Sequence, residues 1–122
     1  MLDTHAVVWS LEDPRKLAGD ARSAVTSGEH PIAVSAASVW EIAIKRATGK
    51  LTIPDDLIRA LEGAAFERLE ITWEHTERAG ALPAHHHDPF DRMLIAQAQL
   101  EGLTLVTRDP RLAAYDVAIL PA

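Results

Sequence analysis

Four carboxylates in this 122-residue chain are placed where folding could bring them together: Asp3, Glu41, Asp91 and Asp109. Gathered acids repel, by about 3 kcal/mol for a pair ~5 Å apart at an effective dielectric of about 20. Raised pKa values or bound cations relieve that repulsion, and a cluster of hard oxygen ligands suits Mg²⁺ or Mn²⁺. An ion held this way lowers the pKa of a bound water and stabilises the charge that builds on a phosphodiester and its leaving oxygen. Such hydrolysis needs no serine nucleophile with a paired base. The chain has no cysteine, which excludes thiolate nucleophiles, disulfides and sulfur-ligated zinc.

The element that positions Asp91 carries the strongest local signal. In His85-His86-His87-Asp88-Pro89-Phe90-Asp91-Arg92 a polar loop runs into a helix start. Asp88 suits the N-cap, Pro89 suits the first helical position because its missing N–H would have had no partner there, and Asp91 falls in the positive first turn. Met93, Leu94, Ile95, Ala96 and Ala98 then make the helix apolar almost all round, so it is expected to be buried, with its leading acids at the rim of a core. Taken alone, the segment also allows Asp88 and Asp91 to be caps and nothing more. Three adjacent imidazoles cannot all face one ion, and in a loop they are expected at the surface. His87, beside Asp88, is the one expected to touch a substrate or tune an acid, and His5 next to Asp3-Thr4 has a similar standing.

Elsewhere the chain alternates short strands with helices. Met1-Leu2-Asp3-Thr4 is apolar up to the acid but shorter than the five or so residues a central strand normally has. This clipped strand leads to the expectation that the natural chain begins upstream of Met1, which an intact mass of the native protein would test. A helical stretch from His5 to Leu11 ends before Asp13-Pro14. Leu17 to Ser27 reads as a helix with Ala18, Ala21, Ala24 and Val25 facing inward and Gly28 as its stop. Pro31 to Ser35 reads as a buried strand and Ala36 to Ala47 as a helix carrying Ser38, Glu41 and Lys45 on one stripe. Glu41 then has two structural readings besides a functional one, a capping box with Ser38 or a pair with Lys45. Gly49-Lys50 lacks the surroundings of a phosphate loop and is a turn.

Pro54-Asp55-Asp56 opens a helix through about Ala64, with Asp55 and Asp56 complementing its dipole. Phe66 to Ile71 reads as a less buried strand and Trp73 to Leu82 as a helix ending at Pro83. After the Asp88 helix, Leu103 to Val106 is a buried strand, Thr107 to Pro110 a turn, Arg111 to Ala114 one helical turn and Val117 to Leu120 a last strand. This alternation argues for a three-layer α/β/α domain around a mostly parallel sheet.

That architecture sorts the acids. In a right-handed βαβ unit the carboxyl end of a strand and the amino end of the next helix share one edge of the sheet, where ligands bind. Asp3 ends the first strand, Glu41 lies early in the helix after the second, Asp91 heads the helix before the fourth, and Asp109 follows the fourth. All four fall on the carboxyl edge, whereas Asp55, Asp56, Glu62, Glu67 and Glu77 gain no such placement.

Length and a hydrophobic content of 48% fit one domain, residues 1–122, with a core of its own. The net charge of −6 opposes binding to a phosphate backbone by charge alone, so a nucleic-acid substrate would need cations. Lys45, Arg46 and Lys50 form one basic patch and Arg108 with Arg111 another, both read first as solvated faces. No basic region precedes Asp3, and Ala6-Val7-Val8-Trp9 is too short for an export signal or a membrane span, so a soluble cytoplasmic protein is expected.

Four motifs in order carry a resemblance: Leu2-Asp3-Thr4-His5, Ser38-Val39-Trp40-Glu41-Ile42-Ala43-Ile44-Lys45, His87-Asp88-Pro89-Phe90-Asp91-Arg92 with Ile95-Ala96-Gln97-Ala98, and Leu105-Val106-Thr107-Arg108-Asp109. Together they resemble the PIN-domain ribonucleases, specifically the VapC-type toxins of bacterial toxin–antitoxin pairs, over nearly the whole chain. The resemblance implies a sheet order 3-2-1-4-5, with Asp3 and Asp109 on adjacent central strands. It also implies Mg²⁺ or Mn²⁺ held by Asp3, Glu41, Asp91 and Asp109, with Thr107 and Thr4 as supporting hydroxyls. Asp88 stays the helix cap, while Arg92 and Arg108 are phosphate or structural contacts. Implied partners are an RNA substrate, a second copy of the chain, and a cognate VapB-type antitoxin, usually a small DNA-binding protein whose tail covers the active edge. Two alternatives stand beside this reading. A receiver-like signalling domain would want a paired acid after the first strand and an Asp after the third, but Asp3 stands alone and Glu70-Ile71-Thr72 offers none. A catalytically inactive PIN-like binding module has no need of all four acids.

Overall fold

The computed structural model describes residues 1–53 and 56–122. Along the chain run α1 (Thr4–Glu12), α2 (Gly19–Thr26), β1 (Ala33–Ser35), α3 (Ala36–Ala47), α4 (Leu57–Gly63), β2 (Glu67–Leu69), α5 (Trp73–Ala81), α6 (Pro89–Glu101), β3 (Leu105–Thr107) and β4 (Ile119–Pro121). Short 3-10 helices cover Pro14–Lys16 and Pro110–Ala114.

β1 pairs with β2 and β3 with β4, both in parallel. The two pairs are joined through Leu2, which bridges Val34 on one side and Val106 on the other, again in parallel. Leu2 N–H donates to the Ala33 carbonyl (3.1 Å), while Val106 N–H donates to Met1 (2.8 Å) and Asp3 N–H to Val106 (3.0 Å). The clipped first strand is therefore a single bridging residue at the middle of the sheet, followed at once by Asp3.

Successive strand side chains point to opposite faces, and the core divides accordingly. Val34 and Val106 join Leu2, Val7, Leu17, Leu57 and Leu61 on one face. Ala33 and Leu105 join Leu94, Ile95, Leu112 and Tyr115 on the other. Helices α1, α2 and α4 thus cover one side and α5 and α6 the other, which gives the three layers. Leu2, Leu94, Ile95 and Leu105 are fully buried, each contributing about 1.5–3 kcal/mol relative to exposure. No helix among the described residues is long and apolar enough to cross a membrane.

Capping chemistry sets the helix ends that matter to the site. Asp88 accepts from Phe90 N–H (2.8 Å) and Asp91 N–H (3.1 Å), Pro89 opens α6, and Gly102 closes it in the left-handed region (φ +63°). α3 spans the expected residues, but its cap is Ser35, which accepts from Ala37 N–H (3.0 Å); a capping box at Ser38 is ruled out because Ser38 lies inside the helix. α2 begins two residues later than expected, since Pro14–Lys16 forms its own turn, and Ala18 is exposed at the N-cap rather than inward. The strands are three residues each and slide relative to expectation: β3 starts at Leu105 and includes Thr107, and β4 ends at Pro121. Pro54 and Asp55, expected to open α4, lie outside the described residues; Asp56 holds the N-cap without a side-chain bond.

Candidate active site

Asp3 stands where the sheet's central segment turns into α1. Its Oδ1 accepts from Ala6 N–H (2.8 Å), so it caps that helix, and the Thr107 hydroxyl hydrogen-bonds the same carboxylate. Thr107 Oγ1 also accepts from Asp109 N–H (3.1 Å). One threonine thus ties the first acid to the loop that carries the last. Burial pushes the Asp3 carboxyl above the ordinary value of 3.8, and the nearby Glu41 charge adds to the rise.

Glu41 is buried one turn inside α3. Its Oε1 accepts from the Thr4 hydroxyl (2.5 Å) and its Oε2 pairs with Lys45 Nζ (2.7 Å). Ser38 Oγ stands 3.3 Å from the same Thr4 hydroxyl. The Lys45 pair anticipated from spacing is therefore present together with a contact to α1. These partners offset the cost of burying the carboxylate.

Asp91 sits in the first turn of α6, and its Oδ2 lies 2.7 Å from His86 Nε2. Burial raises its pKa above 3.8, with the Asp88 and Glu41 charges adding and the His86 hydrogen bond opposing. Asp109 is the N-cap of the 110–114 turn: its carboxylate accepts from Arg111 N–H (3.0 Å) and grips the Arg111 guanidinium, down to 2.7 Å at Nη2. The Arg111 hydrogen bonds hold the Asp109 carboxyl below the usual range. Arg111, expected on a solvated face, is a partner of the site.

Donor atoms of His86, Asp91 and Asp109 lie within 4.8 Å of one another, close enough to share one ion. The Glu41 carboxylate contributes to the raised values of both Asp3 and Asp91. Of the four acids the structure brings Asp91 and Asp109 into one donor group, while Asp3 at the head of α1 and Glu41 one turn inside α3 fall outside it among the described residues. The capped starts of α1, α3 and α6 carry a partial positive charge that favours negative groups beside them.

The histidine expected to tune an acid was His87. It is exposed, and its neighbour His86 is buried and takes the contact instead. Nothing in a run of three identical residues distinguishes them; the path of the loop does. His5 is exposed and stacks on Trp9 at a centroid separation of 5.7 Å. Arg92 donates to the carbonyls of Ala79, Leu82, Pro83 and His86, and Arg108 donates to Lys16 and Ala122 while covering the Trp9 ring at 4.2 Å. Both hold chain segments in place. At the rim, Trp40 and Phe90, each one residue before a site acid, meet edge to face at 5.2 Å, with Trp40 62% exposed. An apolar groove of about 520 Å³ between α3, α4 and β2, lined by Val39, Trp40, Ile58 and Phe66, holds none of the four acids.

The PIN domain family model matches residues 1–118. Ribonuclease VapC22 of Mycobacterium tuberculosis is 30% identical over 118 residues, spanning 94% of this chain and 90% of that protein. Two solved structures share the fold. A toxin–antitoxin complex from Klebsiella pneumoniae superposes with a TM-score of 0.69 at 20% identity, over 98% of this chain and 93% of its own. VapBC2 from Rickettsia felis, bound to a DNA fragment from its promoter, gives 0.72 at 16% identity over 99% and 96%.

Proposed function

Since the chain belongs to the PIN domain family, we propose that it is a metal-dependent endoribonuclease that hydrolyses RNA phosphodiester bonds and acts as the toxin of a toxin–antitoxin pair. The observation that carries this reading is the Asp91 and Asp109 pair, whose donors lie close enough to share an ion, with the buried acids Asp3 and Glu41 at helix starts beside the sheet. The donor chemistry fits a hard divalent cation: the oxygens are carboxylate, and burial makes the charges on Asp3 and Asp91 costly. Asp3, Glu41, Asp91 and Asp109 would hold Mg²⁺ or Mn²⁺. When bound, the ion supplies Lewis acidity, activating water and neutralising charge on the phosphate.

The chain's own residues prepare the edge for an anionic substrate. Lys45 and Arg111 each offset one acid, on Glu41 and Asp109. The heads of α1, α3 and α6 favour negative charge by their orientation. Thr4 and Thr107 fix the rotamers of Glu41 and Asp3, so these carboxylates need not reorganise during the reaction. A cognate VapB-type antitoxin and a homodimer are the proposed partners, the first in keeping with the toxin–antitoxin complexes that share the fold. Incubating the purified chain with RNA tests the activity. Cleavage is expected with Mg²⁺ or Mn²⁺ and none with a chelator; cleavage indifferent to the chelator, or absent with both ions, overturns it.

A further inference from the structure

His86 is the histidine of the triplet that the fold buries, and a buried imidazole is costly unless its nitrogens are partnered. Its Nε2 meets Asp91 Oδ2 at 2.7 Å. The main chain of His86 is held from two sides. Its N–H donates to the Tyr115 hydroxyl (2.9 Å), and its carbonyl accepts from Arg92 Nη1 (3.1 Å). The Tyr115 hydroxyl donates in turn to the Pro83 carbonyl (2.8 Å), which Arg92 Nη1 also reaches (2.9 Å). The His85 ring packs edge-on against Tyr115 with centroids 5.1 Å apart. Arg92 follows Asp91 on α6, so the loop is clamped to the helix whose first turn carries the acid. The imidazole is therefore a fixed post rather than a mobile loop side chain.

From this frame we infer that His86 is a positioning residue, set by Tyr115 and Arg92, that orients the Asp91 carboxylate for cation binding. The inference rests on the reading that Asp91 holds a cation. Asp91 lies in a first helical turn beside solvent, where an unsupported carboxylate samples several rotamers; a hydrogen bond that holds one oxygen limits them and leaves the second oxygen without this partner. Hydrogen-bond partners of metal-ligating side chains are worth about 10–100-fold in metal affinity when removed. His86 Nε2 is already engaged with Asp91 Oδ2, and in that arrangement the imidazole supports the acid; the test below separates this from direct ligation.

The test is a Mn²⁺ titration of the full chain followed by electron paramagnetic resonance, for wild type, His86→Ala, His86→Gln and Tyr115→Phe. The glutamine amide places an N–H close to the position of Nε2–H. His86→Ala is expected to weaken Mn²⁺ binding about 10–100-fold, with His86→Gln recovering most of the loss and Tyr115→Phe falling between. If His86→Ala does not fold, the other two variants decide the matter. Unchanged affinity in the folded variants, or equal loss in the alanine and glutamine variants, overturns the inference. A nitrogen coupled directly to Mn²⁺ in pulsed spectra also overturns it, by making His86 a ligand. A purely structural role would lower the unfolding midpoint and leave Mn²⁺ affinity unmoved. Failure of the wild type to bind Mn²⁺ at all would instead overturn the metal reading, and this inference with it.

Discussion

The Thr4 hydroxyl donates to Glu41 Oε1 at 2.5 Å across 37 residues of sequence. Thr4 follows Asp3 directly, so this bond fastens the second acid to the residue beside the first. Thr4→Val keeps the shape and removes the donor, leaving a buried carboxylate with Lys45 as its remaining named partner. A hydrogen bond to a charged group contributes about 1.5–3 kcal/mol, so urea unfolding is expected to show a loss of that size, with RNA cleavage reduced as Glu41 reorients. Thr4→Ser should restore both. Equal stability of the valine variant and wild type would contradict the assigned bond.

Asp91→Asn separates activity from stability. RNA cleavage is expected to fall by about 10²-fold or more, the scale on which removing one electrostatic stabiliser of a transition state is felt. The metal-free protein should melt at a higher temperature than wild type, because burial makes the ionised carboxylate the less favourable form. Asparagine keeps an oxygen for His86. Retained cleavage would remove Asp91 from the site.

The pH dependence follows from shifts of opposite sign. Asp3 and Asp91 have folded-state values raised above 3.8, so their contribution is fully present below that value and is lost as pH rises through the raised ones. Asp13 and Asp109, lowered by Arg15 and Arg111, contribute above 3.8 and lose that contribution as pH falls through their depressed values. Chelated protein is therefore expected to gain the contribution of Asp3 and Asp91 as pH falls through their raised values, and to lose that of Asp13 and Asp109 as pH falls through their depressed ones. Denaturant midpoints across those values check the sign. The gain should shrink in an Asp3→Asn, Asp91→Asn double variant.

Asp88 offers a test of scaffold against site. Removing its two cap bonds in Asp88→Ala should cost about 1 kcal/mol and lower the melting temperature by about 3–6 °C. Asp88→Asn keeps a capping oxygen and should recover nearly all of it. If the asparagine variant is as unstable as alanine, the charge rather than the cap is what matters there.

Helix starts were legible in the sequence where their chemistry is local. Asp88-Pro89 opens α6, and α3 runs over the expected residues, because a cap is settled by neighbours two or three positions away. The strands were legible as apolar runs but not in their limits. β3 runs from Leu105 to Thr107 because pairing with β4 and Leu2, rather than any signal at Leu103, decides which residues join the ladder. Periodicity and the βαβ rule predict Asp3, Glu41, Asp91 and Asp109 on one edge, and the structure brings the donors of Asp91 and Asp109 within 4.8 Å of each other.

What the sequence by itself determined is which acids stand at the heads of helices and the ends of strands, since caps, turns and hydrophobic periods act over a few residues. The Lys45 partner of Glu41 was legible from its spacing, whereas the tertiary structure decided the other side chains that meet the acids. Thr4 reaches Glu41 because α1 packs against α3, Arg111 folds back onto Asp109, and His86 rather than His87 turns to Asp91 because Tyr115 and Arg92 fix the loop. Thr4 and Glu41 are 37 residues apart and His86 and Tyr115 are 29 apart, and a contact made by packing leaves no mark on the local pattern.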